Sequence, residues 1–196
     1  MKLTRDFFEG DTVSLARRLL GCTLWHETPE GVTAGVIVET EAYCGETDAA
    51  AHSYKRRAPD GRTSVMYGEG GHAYVYLIYG MHSCMNIVCA PEGTPHAVLI
   101  RALAPTEGVG LMRQRRKRDK LTDLCSGPGK LCAAMGIDRS CYGLDLLGKE
   151  LYLTPGEPVA ENDIGVSARI GVDYAGEAAA YPWRFFIRDD PNVSKK

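Results

Sequence analysis

The sequence lacks the features that mark secreted, membrane-spanning and metal-binding proteins. Its seven cysteines are scattered, with no Cys-x-x-Cys pair and no histidine at zinc-finger distance, so we expect reduced, mostly buried thiols. No apolar run reaches the roughly 18 residues that cross a bilayer. Asp6 comes too early for a secretory signal, and no small-residue cleavage site follows a long apolar region. We therefore expect a cytoplasmic protein.

A large excess of charge is also missing, because the formal net charge is only −2. This total argues weakly against a nucleic-acid partner, but the charge is unevenly distributed. Residues 101–130 hold eight Lys/Arg against three Asp/Glu, a local net charge of +5 that is densest over 113–120. Local basic patches govern contacts with a polyanion. An isolated run of this kind is more often a solvated helix face, and both interpretations stay open here.

No repeat, low-complexity tract or break in composition divides the 196 residues. A hydrophobic fraction of 44% and a charged fraction of 24% are typical of a globular protein with one sizeable core. We predict a single α+β domain over 1–196, rich in strands and with short helices, in which 190–196 form a loose tail. The strands expected late in the chain lie at 151–153, 169–172 and 184–187.

Three helices are predicted from capping patterns and periodicity. The first runs from Asp11, a suitable N-cap, to Gly21, which can end it. Residues 106–120 are expected to be helical and basic. A third short helix has Ser126 as its N-cap, Pro128 in its first turn and Gly136 at its end. Its free N–H groups could hold a phosphate, although every helix has such an N-terminus.

The strand predicted over 32–43 carries two acids with a spacing of two. Alternation places Val36, Val38, Thr40 and Ala42 on one face, and it places Ile37, Glu39, Glu41 and Tyr43 on the other. The first set suits a core. The second set puts two carboxylates and an aromatic ring on one surface. The alternative, which this strand taken alone favours, is a half-exposed strand whose acids face water.

A β-hairpin is the clearest local signal in the chain. The aromatic run 74–79 leads to Gly80-Met81, which fits a two-residue turn with glycine first, and the chain returns over 82–89. Tyr79 at the tip either projects into solvent or packs on its own sheet. Arg101 lies within the apolar strand 97–103. Because arginine is seldom fully buried without a partner, Arg101 either reaches the surface or meets an acid such as Glu39 or Glu41.

Six short segments, in one order along the chain, closely resemble the alkyladenine (3-methyladenine, methylpurine) DNA glycosylase family. The resemblance covers nearly the whole chain, from the helix at Asp11 to the strand at Arg184-Phe185-Phe186. The segments are Val38-Glu39-Thr40-Glu41-Ala42-Tyr43, Ala50-Ala51-His52, Tyr74-Val75-Tyr76 through Tyr79-Gly80-Met81, Cys84-Met85-Asn86, Leu99-Ile100-Arg101-Ala102-Leu103 and Cys125-Ser126-Gly127-Pro128-Gly129-Lys130-Leu131. The family fold implies a curved antiparallel or mixed β-sheet, short flanking helices and a protruding hairpin.

The resemblance also implies an activity. Members cut the N-glycosidic bond of damaged purines in DNA without a metal or an organic cofactor. The catalytic glutamate matches Glu41, which activates water, and the arginine that helps to hold acid and water matches Arg101. Glu39 is given a supporting or solvent-facing role. Because no lysine stands among the matched pocket residues, we expect a monofunctional enzyme without lyase activity.

The remaining matched residues bind substrate. The aromatic walls that grip the extruded base match Tyr43, His52 and Tyr76. The tyrosine that fills the gap in the duplex matches Tyr79. The asparagine that matches Asn86 borders the pocket floor and disfavours the exocyclic amine of guanine. Aromatic walls suit cationic alkylated purines, because a cation over an aromatic face is stabilised.

The expected partner is double-stranded DNA that contains damaged purines, with no membrane and with a monomer as the simplest assembly. Lys55, Arg56, Arg57, Arg62 and the run 113–120 would contact phosphates. Many relatives carry Thr-Pro-Arg-Asn after the pocket histidine, whereas this chain reads Ala-Pro-Asp-Gly-Arg-Thr-Ser over 58–64. Lesion preference could therefore differ. The absence of the long N-terminal extension of vertebrate members suggests a minimal, bacterial-type form in the cytosol or nucleoid.

Two other functions remain consistent with the residues alone. A non-catalytic nucleic-acid-binding module would use the tyrosines as stacking platforms, with Glu41 an ordinary strand acid. A small-molecule hydrolase would use the Glu41–Arg101 pair, but it would leave Tyr79 and the basic run unexplained.

Overall fold

An eight-stranded antiparallel sheet organises residues 2–56 and 60–195, which are those that the computed structural model describes. Arg57 and the first two residues of the 58–64 loop lie outside these ranges. The strands are β1 Thr23–Thr28, β2 Gly31–Tyr43, β3 Ala73–Ile78, β4 His82–Cys89, β5 His96–Glu107, β6 Leu151–Thr154, β7 Ile164–Ser167 and β8 Arg184–Ile187. The order is β3-β4-β5-β2-β1-β6, and β8 joins β2 to β7.

The central strand β2 explains why the sheet curls. Its first half pairs with β1, its residues 39–41 pair with β8, and β5 lies along its other edge. Because β1 and β8 pair with successive parts of one strand edge, the sheet splits there and wraps into a half-barrel. The predicted α+β fold with a curved sheet is confirmed, and every strand pair in the described residues is antiparallel.

Short helices flank this sheet. The α-helices are α1 Arg5–Phe8, α2 Thr12–Arg18, α3 Val109–Arg116 and α4 Pro128–Met135. The 3₁₀ helices are Gly45–Thr47, Tyr54–Arg56, Ser64–Tyr67, Leu121–Asp123, Arg139–Cys141, Glu161–Asp163 and Asp173–Ala180. In the described part of the chain, no helix is both long enough and apolar enough to cross a membrane.

The predicted helix caps are partly confirmed. Asp11 caps α2, because its carboxylate accepts a hydrogen bond from the Ser14 N–H at 2.7 Å, and Gly136 ends α4 with a φ of 74°. Ser126 is not the N-cap of α4. Its backbone pairs with Ala102 of β5, so Gly127 takes the capping position instead.

The basic helix is shorter than predicted. Its first residues belong to β5, which continues to Glu107, and α3 ends where Lys117 adopts a left-handed conformation with a φ of 52°. The expectation for the cysteines is confirmed, because all seven are free thiols and only Cys44 is partly exposed.

A β-bulge changes the faces predicted for β2. The register pairs Ile37 with Leu103, Glu39 with Ala102 and Thr40 with Ile100, so Val38 and Arg101 are skipped. Ile37 therefore joins the main core, whereas Val38 packs in a separate cluster. Val36, which was predicted to share the core face, also packs against the Val38 cluster. The predicted faces were therefore wrong for these three positions, because strict alternation does not survive a bulge.

The hairpin tip also differs from the prediction. Ile78 pairs with His82, so the loop contains the three residues Tyr79, Gly80 and Met81, not a two-residue turn. Tyr79 and Gly80 have positive φ values of 52° and 70°. The left-handed region costs a non-glycine residue about 1–2 kcal/mol. Tyr79 is 85% exposed, which excludes packing on its own sheet.

The expectation of a loose C-terminal tail was wrong for its described part. Asn192 and Val193 are buried, with 6% and 8% of their surface exposed. The Ser194 N–H donates to a carboxylate oxygen of Glu39 at 2.6 Å. The segment is therefore fixed against the sheet, close to the acids of β2.

Candidate active site

A cavity of about 450 Å³ opens beside the hairpin, between the end of β2 and the loop that follows β7. Six of the seven predicted site residues line it. They are Tyr43, His52, Tyr76, Tyr79, Asn86 and Arg101. Glu41 is fully buried next to Arg101, at the edge of this space. The structure thus brings all seven predicted site residues together from four strands, β2 to β5, and two loops.

Glu41 is held by three groups. Its Oε2 accepts a hydrogen bond from the Tyr43 hydroxyl at 2.8 Å and lies 3.3 Å from Nη1 of Arg101. Its Oε1 accepts a hydrogen bond from the Ile170 N–H at 2.7 Å. These contacts fix the position of the carboxylate and place a positive charge beside it. The alternative in which the β2 acids face water is excluded by their complete burial.

Arg101 bridges the two acids of β2. Its Nε donates to Glu39 Oε1 at 2.9 Å, and its Nη1 faces Glu41. Burial by itself would lower the pKa of Arg101, but the charges of Glu41 and Glu39 outweigh burial and raise it. Arg101 therefore stays charged, and of the two predicted possibilities it is the pairing with acids that the structure shows.

Glu39 anchors this cluster and does not face solvent. In addition to Arg101, its Oε1 accepts from Arg184 Nε at 2.7 Å and from the Ser194 hydroxyl at 2.9 Å. Burial would raise the pKa of Glu39, but the Ser194 N–H and the two guanidiniums lower it overall. The sequence analysis missed Arg184 and Ser194, since nothing local to either residue signals a partner about 150 positions away.

The aromatic side chains that wall the cavity, Tyr43, His52 and Tyr76, are uncharged. Burial and the neighbouring Glu41 raise the pKa of Tyr43 well above its usual range, so its hydroxyl remains a donor. Burial, with a contribution from Arg62, lowers the pKa of His52 to about 4. The His52 ring meets Tyr76 edge-on with the ring centroids 4.5 Å apart. These walls carry no positive charge at neutral pH.

Tyr74 is a further residue of the site, and it was not among the predicted site residues. It is 1% exposed, and its hydroxyl lies 2.9 Å from Nδ1 of His52. Its carbonyl accepts a hydrogen bond from the Asn86 side-chain amide at 3.2 Å. Tyr74 therefore orients both His52 and Asn86.

The loop 169–172 was predicted to be a strand and is not one, because β7 ends at Ser167. Instead, residues 170–172 line the cavity. Arg169 is fully buried and forms two hydrogen bonds to Asp48, at 2.8 and 2.5 Å. This ion pair holds the loop in place, so that the Ile170 N–H reaches Glu41.

The basic residues divide into two groups. Arg113, Arg115 and Arg116 hydrogen-bond to carbonyl groups of the fold, and Arg115 also pairs with Glu30 at 2.6 Å. These three arginines hold the end of α3 in place. The other described residues that were predicted to contact phosphates are exposed or lie at the cavity. They are Lys55, Arg56, Lys117, Arg118, Lys120 and Arg62.

Within residues 2–56 and 60–195, no group of three or more His, Cys, Asp or Glu side chains could hold a metal ion. Catalysis without a cofactor stays a prediction.

Comparison with known proteins finds relatives over nearly the whole chain. The sequence model of the methylpurine-DNA glycosylase family matches residues 6–191. A protein of Methanocella arvoryzae is 50% identical over 99% of this chain and 96% of its own length. Proteins of Bacillus cereus strain G9842 and Desulfitobacterium hafniense are 47% and 46% identical over the whole of this chain and 100% and 99% of their own lengths. All three are named provisionally as 3-methyladenine DNA glycosylases.

Proposed function

Because the chain belongs to the methylpurine-DNA glycosylase family, we propose that it removes alkylated or deaminated purines from duplex DNA, using water activated by Glu41. The substrates would be purines of the 3-methyladenine, 7-methylguanine, hypoxanthine and ethenoadenine type, and the product an abasic site for base excision repair. The observation that carries the proposal is the buried Glu41 carboxylate beside Arg101, next to a cavity walled by aromatic rings.

An enzyme that acts on a base must first take it out of the stack, which costs a few kcal/mol. Tyr79 supports this step, because it projects from the hairpin tip at the mouth of the cavity. A side chain inserted into the stack stabilises the opened duplex. Stacking on aromatic rings contributes about 1–3 kcal/mol per base in single-strand binders. The walls of Tyr43, His52 and Tyr76 can therefore offset the cost of extrusion.

The chemical step breaks the bond between the base nitrogen and C1′ of the sugar. The bonding electron pair leaves with the base, and the sugar becomes oxocarbenium-like, as in glycoside hydrolysis. The water oxygen then bonds to C1′, while Glu41 takes a proton from that water. Arg101 and the Ile170 N–H hold the buried Glu41 carboxylate in position. A cationic purine leaves as a neutral base, so it needs no second acid.

Lyase chemistry would need an amine nucleophile at C1′. No lysine side chain lines the cavity in the described part of the chain, which supports a monofunctional enzyme that leaves the DNA strand intact. Exposed cations would supply affinity for phosphates that falls as salt rises. A monomer in the cytosol or nucleoid stays a prediction.

The test is single-turnover base release from a duplex with one hypoxanthine, and in parallel from one with 7-methylguanine, using wild type and Glu41→Gln. We expect release by the wild type, loss of at least a thousandfold in the variant, and retained binding to the lesion duplex. Tight lesion binding without release of either base by the wild type would instead favour the non-catalytic binding module.

A further inference from the structure

A buried ion pair lies behind the wall of the cavity, outside the proposed chemical step. Arg169 and Asp48 are both completely buried as side chains and share two hydrogen bonds. Arg169 also donates to the carbonyl groups of Ala42 and Ala178, at 2.9 and 3.0 Å. Burying a charged pair is costly unless the geometry is good. We therefore asked what the Arg169–Asp48 pair does next to Tyr43, a wall of the cavity.

The Arg169 guanidinium lies against the ring of Tyr43. Its central carbon is 4.8 Å from the ring centroid, within the range of a cation–π interaction. Tyr43 lines the cavity, whereas Arg169 does not touch it. The Tyr43 ring therefore has a fixed cation over one face and also borders the space for the base.

On the basis of the proposed function, we infer that Arg169 and Asp48 set the charge preference of the base pocket. An aromatic face attracts a cation through the negative potential of its π electrons. A guanidinium over one face of the ring reduces that negative potential, and its positive charge repels a second cation over the other face. Arg169 thus weakens the stacking of a cationic purine on Tyr43 and leaves a neutral purine unaffected. Asp48, which compensates the Arg169 charge, limits this effect.

Other charged groups face the same space, and the experiment must separate them from Arg169. Glu41, Arg101 and Arg62 lie at or beside the cavity. The Arg169 guanidinium also contacts a second aromatic ring, that of Trp183, whose centroid is 5.0 Å away. Substitution of Arg169 or Asp48 replaces none of these side chains, but a shift of the loop would weaken the hydrogen bond from the Ile170 N–H to Glu41. Any change in the basicity of Glu41 acts on the attacking water and therefore alters release of both kinds of base by a similar factor.

The measured quantity is the ratio of single-turnover release of 7-methylguanine, a cationic base, to that of hypoxanthine, a neutral base, after subtraction of uncatalysed release. Both rates come from one preparation, so the fraction of folded enzyme cancels. We expect Arg169→Met to raise the ratio three- to tenfold and Asp48→Asn to lower it by a similar factor. Arg169→Lys, which keeps the charge, should stay near the wild-type ratio. In a Tyr43→Leu background, Arg169→Met should leave the ratio unchanged.

Opposite shifts in the two single variants would support the inference, because loss of a purely structural ion pair would impair both substrates in both variants alike. An unchanged ratio in Arg169→Met and Asp48→Asn, with release of both bases by the wild type, would overturn this inference and leave the proposed function intact. A shift of equal size in the Tyr43→Leu background would also overturn it. Failure of the wild type to release either base would refute the proposed function itself.

Discussion

Replacement of Glu39 by glutamine tests how the site is held together. The carboxylate of Glu39 is completely buried and accepts hydrogen bonds from Arg101, Arg184 and Ser194. Glutamine keeps the shape and one acceptor oxygen, but it leaves the two guanidiniums with only the charge of Glu41 nearby. Removing one partner of a buried ion pair costs about 3–5 kcal/mol. Because the amide oxygen still accepts, we expect the lower end, about 3 kcal/mol.

The matched control is Glu30→Gln. Glu30 pairs with Arg115 at 2.6 Å, close to the 2.7 Å between Glu39 and Arg184, but its side chain is 67% exposed. An exposed pair contributes about 0–1 kcal/mol. For a chain of this size, a loss of about 3 kcal/mol lowers the melting temperature by roughly 6–12 °C. Urea denaturation and thermal unfolding of both variants give the comparison. Equal losses in the two variants would refute the anchoring role of Glu39.

The pH dependence adds a second check. The folded-state pKa of Glu39 is below its ordinary value of 4.5, because the Ser194 N–H and the guanidiniums outweigh burial. A lowered pKa stabilises the folded protein above the ordinary value, and that contribution disappears as the pH falls through the folded value. The stability difference between wild type and Glu39→Gln should therefore be constant near neutral pH and shrink below about pH 4.5. A difference that grows in acid would contradict this assignment.

Two further predictions concern the hairpin and the C-terminal segment. Tyr79→Ala should lower base release from duplex DNA at least tenfold and from single strands much less, since only the duplex needs the wedge; equal losses would exclude that role. Ser194→Ala removes the hydroxyl bond to Glu39 but keeps the N–H bond, so it should cost about 1 kcal/mol in urea unfolding. A chain ending at Val193 loses both bonds, and it should be destabilised at least twice as much.

Local patterns predicted the parts of the site that lie on neighbouring strands. The period of a strand predicted that the two acids of β2, spaced by two, share one face. The cost of burying a guanidinium left two possibilities for Arg101, reaching the surface or pairing with an acid, and the structure shows the second. The place of Tyr79 at the hairpin tip left projection into solvent and packing on its own sheet both open, and the structure shows projection. Family resemblance added the roles of His52, Tyr76 and Asn86, which periodicity alone could not distinguish from core residues.

The partners that the sequence could not supply are distant along the chain. Ser194 is 155 positions from Glu39, Arg184 is 145 from Glu39, and Arg169 is 121 from Asp48. Each residue looks like an ordinary surface or tail residue in its own segment. Only the three-dimensional path of β8 and of the chain after it brings these groups to β2, and one sequence contains no local signal for such a path.

The β-bulge in β2 and β5 explains how one arginine, Arg101, can contact both Glu39 and Glu41. In an uninterrupted antiparallel ladder, Arg101 would stand opposite a single residue of β2. The register instead skips both Arg101 and Val38, and a bulge bends the strand and re-aims the side chains around it. Arg101 is then within hydrogen-bonding distance of Glu39 and within 3.3 Å of Glu41. Glu39, fixed by β8 and the C-terminal segment, thus sets the position of the arginine, and the arginine in turn places its positive charge beside Glu41 next to the cavity.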